Sequence, residues 1–399
     1  MKEGIWFHRS TPRGEGGIFV FELYGAESKA GLEKIFRPRS GHLPDEGRLR
    51  LGDLVDLRGE VIDECVLARV APGSAWSKLP TWALSVHGGP WVQEKTTESL
   101  HALGAMELDL RGVLLRSLQE GSLDCIEAAA HELLVSARTE KAACFFARQH
   151  VGELSALLRE GLEAVKRGHL DVSREIARSA ILYAQEAYRL GHPLRVLIAG
   201  PPNAGKSTLF NRLAGEERAI VSPIPGTTRD SLEETVVVEG FPVLVRDSAG
   251  IRDLDFTREV ERLGIERTLE RLDDSVLYLI PYPWRLTEDD RQFMDRWPSE
   301  RLELVHSLAD LTSEKTSSFE PLRLSALRGD GVDLLKRQIV ARWLSPRLEP
   351  TNHVPVAAFT PRLEAALRRI EAVEGRTLAA ALDAHRSAYL ECLNFSWPQ

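Results

Sequence analysis

Gly200-Pro201-Pro202-Asn203-Ala204-Gly205-Lys206-Ser207-Thr208 follows the mostly apolar run Leu194–Ala199. The order is that of a phosphate-binding loop set between a strand and a helix. Glycine lets the backbone turn tightly enough for successive N–H groups to point at phosphate oxygens. Lys206 supplies a positive charge, Ser207 offers a hydroxyl to magnesium, and Asn203, Ala204, Gly205 and Thr208 complete the cradle at the helix N-terminus. Binding of a nucleoside triphosphate is the first function the residues imply.

Four further segments follow in the order a GTPase requires. Pro225-Gly226-Thr227-Thr228-Arg229-Asp230 places hydroxyl residues in a turn, where Thr227 and Thr228 can reach the terminal phosphate and magnesium. Asp247-Ser248-Ala249-Gly250 follows a candidate strand; Asp247 can orient a magnesium-bound water, and the Gly250 amide can sense the terminal phosphate. The base is the third element. Ser307-Leu308-Ala309-Asp310 stands where such a domain usually has N-K-x-D. Asp310 can accept from the ring N–H and exocyclic amine of guanine, donors that adenine does not present in that pattern. Ser307 is shorter than an asparagine amide, and Leu308 keeps an apolar stem without a charge, so weaker base binding is expected. Leu324-Ser325-Ala326-Leu327 resembles the S-A-x loop whose backbone supports the base, which brings Ser325 and Ala326 into the site.

Working outward, the chain of 399 residues exceeds one ordinary core and implies about two or three domains. It is 43% hydrophobic and 28% charged, with a formal net charge of −8, which does not describe a protein coated with basic patches. No apolar run is long enough to span a bilayer, and the start lacks a stretch of signal-peptide length, so a cytoplasmic protein without membrane contact is expected. Four cysteines without paired metal-ligand spacing are expected to be thiols. Residues 1–107 alternate β-rich runs with glycine and proline loops, an α+β pattern. Residues 108–192 carry apolar positions at helical spacing, among them Leu154, Leu157, Leu158, Leu162 and Val165, and a third helix is expected from Val172 to Leu190. Residues 193–345 alternate strand and helix, with strands expected at 235–239, 242–246, 276–280 and 302–305. Helical spacing returns in 346–399, so the nucleotide domain is expected to be inserted into a helical one. His87-Gly88-Gly89 reads as a turn histidine, and the tryptophans read as core or interface anchors.

Together, the loop at 200–208, Gly226-Thr227-Thr228-Arg229-Asp230, Asp247-Ser248-Ala249-Gly250-Ile251-Arg252 and Val260-Glu261-Arg262-Leu263-Gly264-Ile265-Glu266-Arg267 resemble the MnmE (TrmE) family of tRNA-modification GTPases. Thr11-Pro12-Arg13-Gly14-Glu15-Gly16-Gly17-Ile18 and Val86-His87-Gly88-Gly89 extend the resemblance toward the amino terminus. It implies a multidomain fold with an α+β amino-terminal domain that binds folate and dimerises, an α-helical bundle domain, and an inserted α/β P-loop (Ras-like) G domain. It also implies a homodimer that binds GTP and GDP with Mg2+ and K+. By motif matching, Ser207 and Thr228 would hold magnesium, Asn203 would ligate potassium, and Glu261 would position the hydrolytic water. The family's known partners are tRNA, modified at the wobble uridine, and a flavin-containing protein. A reduced folate is its one-carbon donor; against folate here stand Glu22, where the family has arginine, and the altered segments at 110–113 and 116–124. The C-I-G-K tail of the family is not found, and Cys392 does not replace it by position.

Two functions therefore emerge from the residues: a divergent GTPase of this family, and a nucleotide-binding switch or scaffold with little hydrolysis and no role in tRNA modification. Magnesium- and potassium-dependent GTP turnover separates them.

Overall fold

The computed structural model describes residues 4–12, 14–71, 73–216, 233–247, 275–312, 322–344 and 354–372. They fall into two compact units, one ending at Glu132 and the other beginning at Leu133.

The first unit is built on strands β1 (Trp6–Arg9), β2 (Ile18–Tyr24), β3 (Phe36–Pro38), β4 (Arg48–Val55), β5 (Val61–Arg69), β6 (Thr81–His87) and β7 (Met106–Glu107). Helices α1 (Ser28–Ile35), α2 (Pro90–Ala102) and α3 (Leu110–Gln119), with most of α4 (Cys125–Val135), complete it. Strand order is β3-β4-β5-β6-β2-β1-β7. Period-two alternation along β2 buries Phe19, Phe21 and Leu23 on one face, where they join Leu32 and Ile35 of α1 and Leu100 of α2 in the core. Glu22 therefore points to the opposite face. There its carboxylate accepts hydrogen bonds from the Tyr24 hydroxyl and, at 2.9 Å, from the Trp76 indole. Burial, then the Glu22 charge, pushes the Tyr24 phenol well above its ordinary range, so the phenol remains a donor.

The second unit begins with helices α5 (Glu140–His150), α6 (Glu153–Lys166), α7 (Leu170–Leu182) and α8 (Ala184–Gly191). Leu154, Leu158, Leu162 and Val165 form one buried stripe of α6, as their spacing predicts. The helix expected from Val172 to Leu190 is two helices, because Tyr183 takes φ −115° and ψ 24°, outside the helical basin. Buried Ile181, Ala184, Ala187 and Leu190 keep the apolar spacing across the break, so periodicity does not reveal it.

A six-stranded sheet follows. Its strands are β8 (Leu194–Ala199), β9 (Glu233–Val238), β10 (Phe241–Asp247), β11 (Ser275–Pro281), β12 (Leu302–Ser307) and β13 (Leu322–Arg323), in the order β13-β12-β11-β8-β10-β9. All pairs are parallel except β9 with β10. Helices α9 (Lys206–Glu216), α10 (Glu288–Met294) and α11 (Val332–Ile339) belong to this α/β region, and α12 (Pro361–Ala372) packs on α7. Leu363, Ala366, Leu367 and Ile370 of α12 are buried, and Phe359 meets Phe145 and Phe146 of α5 edge to face at 6.2 and 5.7 Å between ring centres. Chain that follows the nucleotide-binding region thus packs on helices that precede it. The central β11 is buried throughout except at its last residue, as a parallel strand covered on both faces must be.

The β9–β10 hairpin turns through Glu239 and Gly240, with φ of 50° and 82°. Two successive positive φ values define the type I′ turn that suits strand twist. Lys141 of α5 donates to the Glu239 carbonyl at 2.7 Å and lies 4.8 Å from the centre of the Phe241 ring. A Cβ on Gly240 would stand 2.8 Å from the Lys141 Cε. Gly240→Ala is therefore expected to destabilise the unit by about 1–2 kcal/mol from the left-handed backbone, besides displacing Lys141. Denaturant unfolding measures this, with Gly240→Asn, which tolerates the conformation better, expected to lose less.

Candidate functional site

Parallel strands β10, β8 and β11 lie side by side, and the site forms beyond their carboxyl ends, where a doubly wound sheet leaves a crevice. From β8 the chain enters the loop at Gly200, whose φ is 142° and where a Cβ would stand 2.5 Å from the Leu279 carbonyl of β11. Only glycine fits there. Asn203 and Gly205 also take positive φ, 60° and 85°, which curls the loop back toward the start of α9. Ala204 is fully buried, while Asn203, Ser207 and Thr208 are exposed at the mouth. The first N–H groups of α9, which have no partners within their own helix, would meet an anion with the positive end of the helix dipole.

Lys206 is 5% exposed, and its ammonium donates to the carbonyls of Gly200 at 3.1 Å and Pro201 at 2.8 Å. Folded over the loop in this way, it holds its charge where phosphate oxygens would sit. Asp247, the last residue of β10, pairs in register with Ile198 of β8 and is buried. The Ser207 hydroxyl donates to the Asp247 carboxylate at 2.6 Å. Residues 40 positions apart in sequence thus place two hard oxygen donors at one point, a set that suits Mg2+. Thr227, Thr228, Gly250 and Glu261 lie outside the described residues.

Asp310 and the Ser325–Ala326 turn come together in the structure. Asp310 sits in a short 3₁₀ turn, Ala309–Leu311, and its carboxylate accepts from the Ser325 hydroxyl at 2.7 Å. That bond holds the Asp310 carboxyl below its ordinary range, ionised and ready to accept further donors. Ala204, Gly205, Thr208, Ser307, Leu308, Asp310, Leu324, Ala326 and Leu327 line a cavity of about 160 Å3. Leu308 takes the left-handed backbone conformation, φ 59°, and its side chain lies against Gly205 of the phosphate loop. The apolar stem expected at this position is in place.

Two supports escaped the sequence reading. Arg212 of α9 donates to the carbonyls of Ala326 at 3.0 Å and Leu327 at 2.8 Å, tying the helix that follows the phosphate loop to the base-side turn. Trp284, after β11, donates to the Ser307 carbonyl at 3.0 Å, stacks on His306 at 5.0 Å and takes the Arg323 guanidinium 4.5 Å from its ring centre. An arginine in an amphipathic helix and a tryptophan after a strand carry no local signal for either task.

In the first unit, His87 ends β6 and contacts Asp63, ring nitrogen to carboxylate at 2.7 Å, with its backbone N–H donating at 2.8 Å. Among the described residues no cluster of three histidine, cysteine or acidic side chains could hold a metal ion, and no helix is long and apolar enough to cross a membrane.

Residues 195–307 match the 50S ribosome-binding GTPase family. The chain is 31% identical over 368 residues to the tRNA modification GTPase MnmE of Geobacter sulfurreducens, covering 84% of this chain and 80% of that protein. It is 30% identical over 420 residues to the protein of the same name from Nitrosomonas europaea, covering 96% and 90%. Among solved structures, the G domain of the T. maritima FeoB iron transporter matches 38% of this chain and 99% of its own length, at 22% identity and a TM-score of 0.27.

Proposed function

The chain belongs to the MnmE family of tRNA modification GTPases and is a GTP-hydrolysing enzyme, and from that premise we propose that it hydrolyses GTP to GDP and phosphate with Mg2+ and K+, as a homodimer acting in modification of the tRNA wobble uridine. The observation that carries the hydrolytic part is the Ser207–Asp247 contact of 2.6 Å beside the buried Lys206. It sets the hydroxyl and the carboxylate at one point at the N-terminus of α9, and Lys206 holds its ammonium over the preceding loop, which supports a site for phosphoryl transfer by positioning and charge neutralisation.

Ser207 and Thr228 would hold magnesium, with Asp247 orienting its shell, and Asn203 would ligate potassium. Bound there, the two cations would supply positive charge against the oxygens of the phosphoryl group in flight. The chain's own residues do the rest. Lys206 and the amides of the loop fix the β- and γ-phosphates, Asp310 holds the base, and the Glu261 carboxylate orients the attacking water. With phosphates and base both gripped, the γ-phosphorus is presented in one orientation to that water.

Phosphate release measured in potassium and in sodium tests the reading, with Glu261→Ala as control. Turnover is expected to be faster in potassium and to fall about 100-fold or more in Glu261→Ala, the lower range for a positioned proton-transfer group. Equal rates in both salts together with an unaffected variant would reject the cation and water assignments. Mass spectrometry of tRNA nucleosides after gene deletion tests the tRNA role, which fails if wobble-uridine modification is unchanged.

A further inference from the structure

Two bulky residues, Trp284 with φ 55° and Leu308 with φ 59°, take the left-handed backbone conformation. Such a φ is costly for side chains of this size, and where it persists the surroundings enforce it. The two meet at one group. The Ser307 carbonyl, which accepts the Trp284 indole N–H at 3.0 Å, belongs to the peptide unit that leads into Leu308. Because that unit is planar, turning its carbonyl also turns φ of Leu308. A bond that fixes the carbonyl therefore holds Leu308 in its disfavoured conformation.

Trp284 is itself held from several sides. Its backbone N–H donates to the Pro281 carbonyl at 2.7 Å, and its ring packs against the cluster that contains Leu197, Ala199 and Ile280. The His306 ring lies parallel to the indole at 5.0 Å, and the Arg323 guanidinium stands 4.5 Å from the indole centre. Farther along the segment, the Ala309 N–H donates to the Leu324 carbonyl at 3.1 Å and Ser325 donates to Asp310. Residues 307–310 are thus gripped at both ends, and Trp284 is the grip where the chain leaves β12. We propose that Trp284 is a positioning residue for guanine recognition, which fixes the Ser307–Leu308 peptide and thereby sets where the Asp310 carboxylate stands. Trp284 then governs how strongly the protein distinguishes guanine from a purine that lacks the exocyclic amine. The assignment rests on the reading of Asp310 as the acceptor for guanine.

Calorimetric titration of the full chain with GDP and with IDP, whose base lacks the exocyclic amine, tests it. The natural protein is expected to prefer GDP about tenfold or more, the share of one charge-assisted hydrogen bond to Asp310. Trp284→Phe keeps a ring and loses the donor. It should bind GDP about three- to tenfold more weakly, the range for one neutral hydrogen bond, with IDP affected less, so that the preference narrows. The analogue 3-benzothienylalanine at position 284, which exchanges the N–H for sulfur at nearly constant shape, should narrow it in the same way and so guards against a packing effect. A merely structural role would weaken GDP and IDP by one common factor. That outcome, or a preference that either variant leaves unchanged, would overturn the assignment to Trp284 and leave Asp310 as the reader. No preference for GDP over IDP in the natural protein would overturn the reading of Asp310 and the assignment with it.

Discussion

Lys206→Ala is expected to abolish GTP hydrolysis at working nucleotide concentrations and to weaken GTP binding about a thousandfold. One unit charge about 4 Å from a phosphate charge, at an effective dielectric of about 20, is worth about 4 kcal/mol, which is that factor. The position of the ammonium supports the size of the effect. It is 5% exposed and already held by the Gly200 and Pro201 carbonyls, so little conformational freedom is lost when phosphate arrives. Titration with GTP and with GDP, alongside thermal unfolding of both proteins, checks it. Affinity should collapse while the melting temperature changes little, because the loop lies at the mouth of the site and the buried run of β8 is untouched. Affinity within a few-fold of the natural protein would show that the loop does not grip phosphate through Lys206.

Asp310→Asn should change the base the protein reads. Two charge-assisted hydrogen bonds from guanine, at about 1.5–3 kcal/mol each, are lost, so kcat/KM for GTP falls by about two to four orders of magnitude. The amide nitrogen now donates, which suits xanthine, where an oxygen replaces the exocyclic amine of guanine. Preference for XTP over GTP is the expected result, read from hydrolysis rates with each nucleotide. The structure explains why the loop should survive the change: Ser325 donates to one Asp310 oxygen at 2.7 Å, and an asparagine carbonyl can keep that bond. A variant that still prefers GTP would place guanine recognition elsewhere.

Where consecutive residues must share one task, the sequence was legible. The strand, loop and helix from Leu194 to Glu216 could be read in order because a phosphate cradle is made by neighbours in the chain. Expected strands at 242–246, 276–280 and 302–305 lie within β10, β11 and β12, since their apolar runs match buried parallel strands. The strand expected at 235–239 ends one residue early, because Glu239 turns into positive φ with Gly240. The helix break at Tyr183 escaped periodicity for the reason already given: the buried face continues through it.

The sequence by itself determined that a phosphate loop, an aspartate-ended strand and an aspartate at the position where such domains read their base occur in GTPase order. It also determined that Ser307 and Leu308 depart from the usual base-reading pair. Each of these is a property of residue type at a fixed spacing. Only the tertiary structure decided that Ser207 meets Asp247, that Ser325 fixes Asp310, that Arg212 ties α9 to the base turn, and that Trp284 holds the carbonyl of Ser307. These pairs lie 40, 15, 114 and 23 residues apart. Parallel strands carry their ends to one edge of the sheet whatever length of chain lies between them, so the partners are chosen by strand order, which no local pattern records.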